Sequence, residues 1–310
     1  TNQDIDNIMN PITICYCNHS TIYGNRLNDS GYAIQIQNSN DVEIKNNNMY
    51  ENSHSEYSSI SIYIRYGSES PSIHNNNIYY YKYMIRKNRD SDGGIVYGNY
   101  FRQTRRGDTI NISTVDSWHI HNNTFWGVKD SSGLCLAFTN SGGVGTIFEN
   151  NTVKGYDNGI NNAGGFFNTQ TQVHYNLFLG NNNYTYQQGG ADTHTNYTFN
   201  YWSDWQPPGH TDTDGDGFID DDPRQCGNTF DYHPLTFSAN ITSPGNNSVI
   251  GGNTEVVVTF YANPLIVADW YNWSFSDGSY VNSSLNYTVK TFSDFGWQYI
   301  NLTVGNSLVE

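Results

Sequence analysis

The densest set of metal-ligating side chains in this chain is Asp212-Thr213-Asp214-Gly215-Asp216-Gly217-Phe218-Ile219-Asp220. Carboxylates at loop positions 1, 3 and 5, glycine at 6, a main-chain carbonyl at 7 and an acid at 9 are the donor order that wraps a calcium ion. The hard cation takes oxygen ligands, and the glycine permits the sharp turn. Ile219 falls at position 8, the place of the apolar anchor. Position 12 is Pro223 instead of Glu, so the loop is not a complete EF-hand, and Asp221 or Asp222 is left to supply the missing charge. The predicted ligands are Asp212, Asp214, Asp216, Phe218, Asp220 and Asp222, with Ca2+ as the cofactor. Asp204, Asp221 and Asp231 crowd the same stretch, and acids packed so closely repel one another unless a cation joins them.

Other candidates are weaker. Glycoside hydrolysis needs two carboxylates about 5–9.5 Å apart across a groove, and no acid pair recurs along residues 20–203. Arg65, Arg86, Arg102, Arg105 and Arg106 could serve lyase chemistry but lack matched Asp clusters. Glu51, His54 and Glu56 fall in one long inter-repeat stretch, Lys129 and Asp130 in another. Cys15-x-Cys17-x-His19 leaves a soft-metal site short of a ligand. A disulfide or small buried thiols are expected there instead, and the pairing of Cys15, Cys17, Cys135 and Cys226 stays open. Arg105-Arg106-Gly107-Asp108 holds an adhesion-like tripeptide too short to carry an argument.

The elements that position these residues follow from a six-residue phrase, apolar-x-x-Asn-x-apolar. It runs Ile22/Asn25/Leu27, Ile44/Asn47/Met49, Ile73/Asn76/Ile78, Val96/Asn99/Phe101, Ile120/Asn123/Phe125, Phe148/Asn151/Val153, Val173/Asn176/Phe178 and Tyr197/Asn200/Trp202. Successive phrases begin 22, 29, 23, 24, 28, 25 and 24 residues apart. Units this short cannot bury an apolar face alone, so they must stack into a shared core. Upstream alternation at Ile34/Ile36, Ile60/Ile62/Ile64, Ile110/Ile112 and Leu134/Leu136/Phe138 has the period of strands. The Asn is expected to take the left-handed turn conformation and, at about 4.8 Å per coil, to stack as an amide ladder. His74, His121 and His174 share one place in alternate repeats, about 10 Å apart at that spacing, so they are expected to be ordinary outward-facing residues.

The phrase resembles the repeat of right-handed parallel β-helix proteins, particularly archaeal surface proteins related to the periplasmic copper-binding β-helix family, over roughly 12–235. The similarity is most specific at Asn200-Tyr201-Trp202-Ser203-Asp204-Trp205, the aspartate loop and Asp231-Tyr232-His233-Pro234-Leu235. It implies extracytoplasmic placement more firmly than copper chemistry. The loop itself resembles dockerin and thrombospondin-type calcium repeats, and calcium there would bury Trp202 and Trp205 over the end of the helix. Beyond it, Trp273-x-Phe275-x-Asp277-Gly278-Ser279 and Ile300-x-Leu302-Thr303-Val304 look like a polycystic-kidney-disease type of immunoglobulin-like domain, departing at Ser276, where Gly is common.

The fold expected is therefore all-β: a right-handed parallel β-helix of about eight coils, then an immunoglobulin-like sandwich. Residues 1–19 form a cap or donor strand, 20–203 the helix, 204–236 a calcium-binding linker and 237–310 the sandwich. Only 14% of residues are charged and the net charge is −15, which excludes the basic stripe that nucleic acid requires. No apolar run is long enough to span a membrane, and no leader opens the chain at Thr1, the pattern of a processed, secreted protein. Thirteen Asn-x-Ser/Thr sequons occur, against roughly 8 by chance. Asn18, Asn28, Asn111, Asn183, Asn240, Asn246, Asn272, Asn282, Asn286 and Asn301 are the expected N-glycan sites. Asn122, Asn150 and Asn196 sit beside the ladder, where glycans would be blocked.

Together these readings point to a secreted, calcium-stabilised structural glycoprotein that polymerises head to tail in a surface layer, sheath or filament. The alternative is a carbohydrate-binding or polysaccharide-cleaving β-helix, with Tyr79, Tyr80, Tyr81 and Tyr83 stacking on sugars.

Overall fold

The computed structural model describes residues 4–306 except 7–11, 29–30, 52–58, 89–92, 104–106, 113–116, 129–133, 139–144, 163–170, 187–194, 206–208, 215–217, 222, 227–228, 237–238, 246–249, 251–255, 265–267 and 294–297. Among these the chain is all-β, with no helix. It divides into two compact units, Thr1–Trp205 with Asp222–Pro234, and Gln206–Asp221 with Leu235–Glu310.

The first unit is a parallel β-solenoid of three sheets. The first sheet is nine strands deep, from Asp4–Asp6 to Tyr201–Trp202; the second is eight deep, from Ile12–Cys15 to Asn183–Tyr186. The third begins at Thr21–Tyr23 and runs to Asn196–Thr198, with the Arg224–Cys226 and Thr229–Asp231 hairpin added beyond it. One coil visits the sheets in turn, as in Tyr32–Gln37, Glu43–Lys45 and Asn48–Tyr50.

Residues 1–19 supply the first strands of two sheets: Asp4–Asp6 pairs with Arg26–Asn28, and Ile12–Cys15 with Tyr32–Gln37. Within the segment expected as a cap or donor strand, Ile12 and Ile14 continue the alternation of Ile34 and Ile36. The stretch 204–236 is likewise shared between the two units.

Register carries the core. In the second sheet Ile12, Ile34, Ile62, Ile85, Ile110, Leu136 and Ile160 align across seven coils. The two apolar places of the phrase make matching columns in the other sheets, all buried, ending in Phe178 stacked on Trp202 at 4.3 Å. Burial of these columns is the main driving force of the fold.

Between the third and first sheets each coil turns on two residues. The left-handed one is Gly24, Asn46, Asn75, Gly98, Asn122, Asn150, Tyr175 or Phe199, with φ from 53° to 68°. It precedes the Asn of the phrase, which corrects the expectation that this Asn itself adopts that conformation. Gly98 is required twice over, since a Cβ there would stand 2.5 Å from Asn75 Oδ1.

The phrase Asn is instead the rung of a buried ladder. The main-chain N–H and the Nδ2 of Asn25, Asn47, Asn76, Asn99, Asn123, Asn151 and Asn176 donate to Oδ1 of the next Asn, at 2.9–3.1 Å. From Asn47 onward, Nδ2 also donates to a carbonyl of the preceding coil, as Asn123 does to Val96. Every ladder bond runs toward the C-terminus, so the last rung needs an acceptor that brings no new donors. Asp231 is that group: its Oδ2 accepts from Asn200 N–H, Asn200 Nδ2 and Trp202 Nε1, each at 3.0–3.1 Å.

The second unit is a small antiparallel β-sandwich. One sheet joins Ala239–Ser243, Val256–Pro264 and Tyr287–Phe292; the other joins Tyr280–Ser283, Trp270–Phe275 and Ile300–Gly305. Val258, Phe260, Ala262, Tyr271, Trp273 and Phe275 are buried between them.

Asn123→Ala removes an acceptor for two buried donors and a donor for three acceptors. At about 1–3 kcal/mol for each of the two buried Asn99 donors left without an acceptor, the expected loss is about 2–6 kcal/mol in urea unfolding. Burial raises the pKa of Asp231, opposed by its hydrogen bonds to Trp202 and Asn200. A carboxyl raised in the folded state favours folding at low pH, and that contribution is lost as pH rises through the raised value. The stability of Asp231→Asn relative to wild type is therefore expected to rise between about pH 3.5 and pH 7; parallel urea midpoints at both would contradict it.

Candidate metal centre

The aspartate loop lies in the second unit. Two oxygens bound to calcium at about 2.4 Å cannot stand more than about 4.8 Å apart. One carboxylate oxygen from each of Asp212, Asp214 and Asp220 meets that limit, all within 4.8 Å of one another. Donor type and spacing therefore fit the predicted ion. When bound, calcium would supply the charge that lets these acids share one volume.

Local hydrogen bonds set the loop. Thr213 donates its main-chain N–H to Asp220 Oδ2 at 2.6 Å and its hydroxyl to the same atom. These bonds, the hydroxyl's foremost, hold the Asp220 carboxyl below its ordinary pKa. Asp220 N–H donates to Thr211 O at 3.0 Å, and Phe218 forms an antiparallel bridge with Leu235. Asp221 is already committed, accepting the Thr211 N–H at 2.9 Å with His210 Nδ1 3.6 Å away. Asp216 and Asp222 lie outside the described residues.

The remaining candidates are placed as follows. Glu51 is buried instead of projecting from a loop, while His54, Glu56, Lys129, Asp130, Arg105 and Arg106 lie outside the described residues. All four cysteines are free; Cys135 and Cys226 are the buried ones. Cys15 and Cys17 are exposed and unbonded, against the expectation of a disulfide or buried thiols. Arg65 lies over Tyr63 and Tyr66, Arg86 over Tyr83, and Arg102 over Trp126.

The tyrosines are committed to one another. Tyr79 stacks on Tyr50 at 4.4 Å with ring planes 5° apart, and Tyr100 lies 5.7 Å from it. Tyr81 is buried, donating its hydroxyl to Tyr50 O. A ring faced by a ring from the next coil offers a sugar mainly its edge, whereas stacking on sugars needs a face.

Among the sequons, Asn272, Asn282 and Asn301 share the outward face of one sandwich sheet: Asn272 pairs with Asn282, and Asn301 with Ser274. Asn286 and Asn18 are exposed, Asn28 half-buried. Asn111 does not present its amide: it is buried, with Nδ2 donating to Asp108 within its own strand. Asn246 and the side chains of Asn183 and Asn240 lie outside the described residues.

By its architecture the chain is a parallel β-helix protein carrying a small β-sandwich. No protein-family model matches it, and comparison with curated protein sequences finds no match.

Calcium at about 100 times its dissociation constant should stabilise the second unit by about 2.7 kcal/mol. Calorimetry with and without chelator reads this as a shift in Tm, expected to vanish in Asp212→Asn/Asp214→Asn. A wild-type Tm indifferent to calcium would refute the site.

Proposed function

We propose that this protein is an extracellular structural glycoprotein, a calcium-stabilised subunit of a surface layer, sheath or filament. The observation that carries the reading is the gathering of the Asp212, Asp214 and Asp220 carboxylates within 4.8 Å. Calcium sites of this modest donor set suit the extracellular fluid, where the ion is abundant. The shared outward face of Asn272, Asn282 and Asn301 supports N-glycosylation of the sandwich. The resemblance to archaeal surface β-helix proteins and to polycystic-kidney-disease-like domains agrees with both.

Polymerisation draws on the difference between the two ends of the solenoid. Ile12–Cys15 and Thr21–Tyr23 are end strands of their sheets, whereas the third sheet closes at its other end in an antiparallel hairpin. Unlike ends favour heterologous, head-to-tail contacts, and these build fibres when they do not close into a ring.

Electron microscopy of the native secreted protein with and without chelator tests this reading. Ordered filaments or sheets that dissociate on calcium removal are expected. A monodisperse monomer at high protein and calcium concentration would sink it. A second reading, carbohydrate binding, draws on Trp126, half-buried and flanked by Arg102 and Lys154 at 6.0 and 5.5 Å. Retention on an acidic polysaccharide column, lost in Trp126→Ala, would move the weight to it.

A further inference from the structure

The outward face of the third sheet holds a cluster that the calcium loop does not involve. His119 and His121 are two residues apart on the strand His119–His121, so both side chains leave the same face, with ring centroids 4.3 Å apart. The neighbouring strand Ile147–Glu149 runs parallel in register, setting Glu149 directly beside His121. Glu149 Oε1 lies 2.7 Å from His119 Nε2, and its Oε2 lies 3.6 Å from His174 Nδ1 in the next coil. Three nitrogen and oxygen donors thus project from two adjacent strands onto one patch open to solvent.

We propose that His119, His121 and Glu149 form a second metal site, chemically distinct from the aspartate loop, that takes a divalent transition ion of the zinc type. Two imidazoles and a carboxylate suit that ion, which binds three protein ligands and leaves a fourth position to water. The hard calcium ion, which takes oxygen donors, is not served by this set.

Three details of the surroundings fit the role. Tyr97 stacks on His121 at 5.2 Å with planes 3° apart, fixing that ring from the preceding coil. Asn122 Nδ2 lies 3.0 Å from His121 Nδ1; with the amide flipped end for end, its oxygen accepts from Nδ1–H and leaves Nε2 for the ion. His174 steadies the second carboxylate oxygen. The donor atoms stand wider apart than those of the three aspartates, and half-exposed side chains close on an ion by turning about their side-chain torsions.

The same face carries its own control. Glu43, Lys45 and His74 repeat the arrangement, with Glu43 3.0 Å from His74 and 2.8 Å from Lys45. There the ammonium group fills the second donor place and supplies the cation, so no ion is needed. Bonds from Lys45 first, and from His74, hold the Glu43 carboxyl down at about 2.

The test is zinc titration of the tag-free, calcium-saturated full chain by calorimetry, with imidazole NMR signals followed in parallel. One saturable equivalent per chain is expected, with the His119 and His121 signals moving. His121→Ala and Glu149→Gln should each weaken binding by more than about ten-fold, while His74→Ala and Asp212→Asn/Asp214→Asn leave it unchanged. Circular dichroism should show every variant folded, since the substituted side chains point out of the core; Glu149→Gln, which keeps the shape, stands in should an alanine variant fail. Absence of saturable uptake overturns the proposal. So does uptake that survives His119→Ala/His121→Ala or disappears with the aspartate loop. None of these outcomes bears on whether calcium binds.

Discussion

A hydrogen bond between two stacked amides, repeated up the inside of the turn, is the constraint on which the solenoid depends. Each rung, as Asn151 does, satisfies three needs at once: the main-chain N–H of the turn below, the side-chain amide below and a carbonyl of the preceding coil. A buried turn would otherwise carry unpaired backbone groups, which folding does not tolerate. The bonds from rung to rung point one way only, and a carboxylate is the natural last member because it accepts without donating. Asp231 reaches that place from a hairpin outside the repeat, so ladder and hairpin depend on each other.

The same register that aligns the amides also aligns everything on the surface. Lys45, His74, Tyr97, His121, Glu149 and His174 form one outward column, and Tyr50, Tyr79, Arg102, Trp126 and Lys154 form another. At about 4.8 Å between rungs, planar groups stack and charges pair without any further adjustment. Much of the aromatic and basic content is therefore spent on coil-to-coil contacts. A functional reading that begins from the abundance of tyrosine overlooks this use.

The architecture was legible because the phrase holds its apolar and amide places in all eight repeats, and period and residue type agree. The upstream strands were less so. The alternation fails wherever a polar residue takes an inward place, as Lys87 does, buried in register between Ile64 and Ile112. The turn was misassigned by one residue, since Asn46, Asn75, Asn122 and Asn150 place an Asn on both sides of the distinction. Of the six residues expected as loop ligands, Asp212, Asp214 and Asp220 lie with one carboxylate oxygen each within 4.8 Å of the others. In the sequence the histidine patch is masked by the more regular column of His74, His121 and His174. The signal present was His119-Ile120-His121, an alternation that puts two imidazoles on one face of a strand, and Glu149 fills what looked like an empty coil between two of the histidines.

The ladder also sets how such a chain can change over generations. Removing or duplicating one whole coil returns an Asn above an Asn, with every apolar column intact, whereas a one-residue insertion inside the phrase breaks the amide stack and turns the core outward. Lengths between phrases vary from 22 to 29 residues, so growth and loss are tolerated between rungs but not within them. The solenoid is free to evolve in whole-coil steps, its length a count of rungs, and Asp231 marks where the count stops.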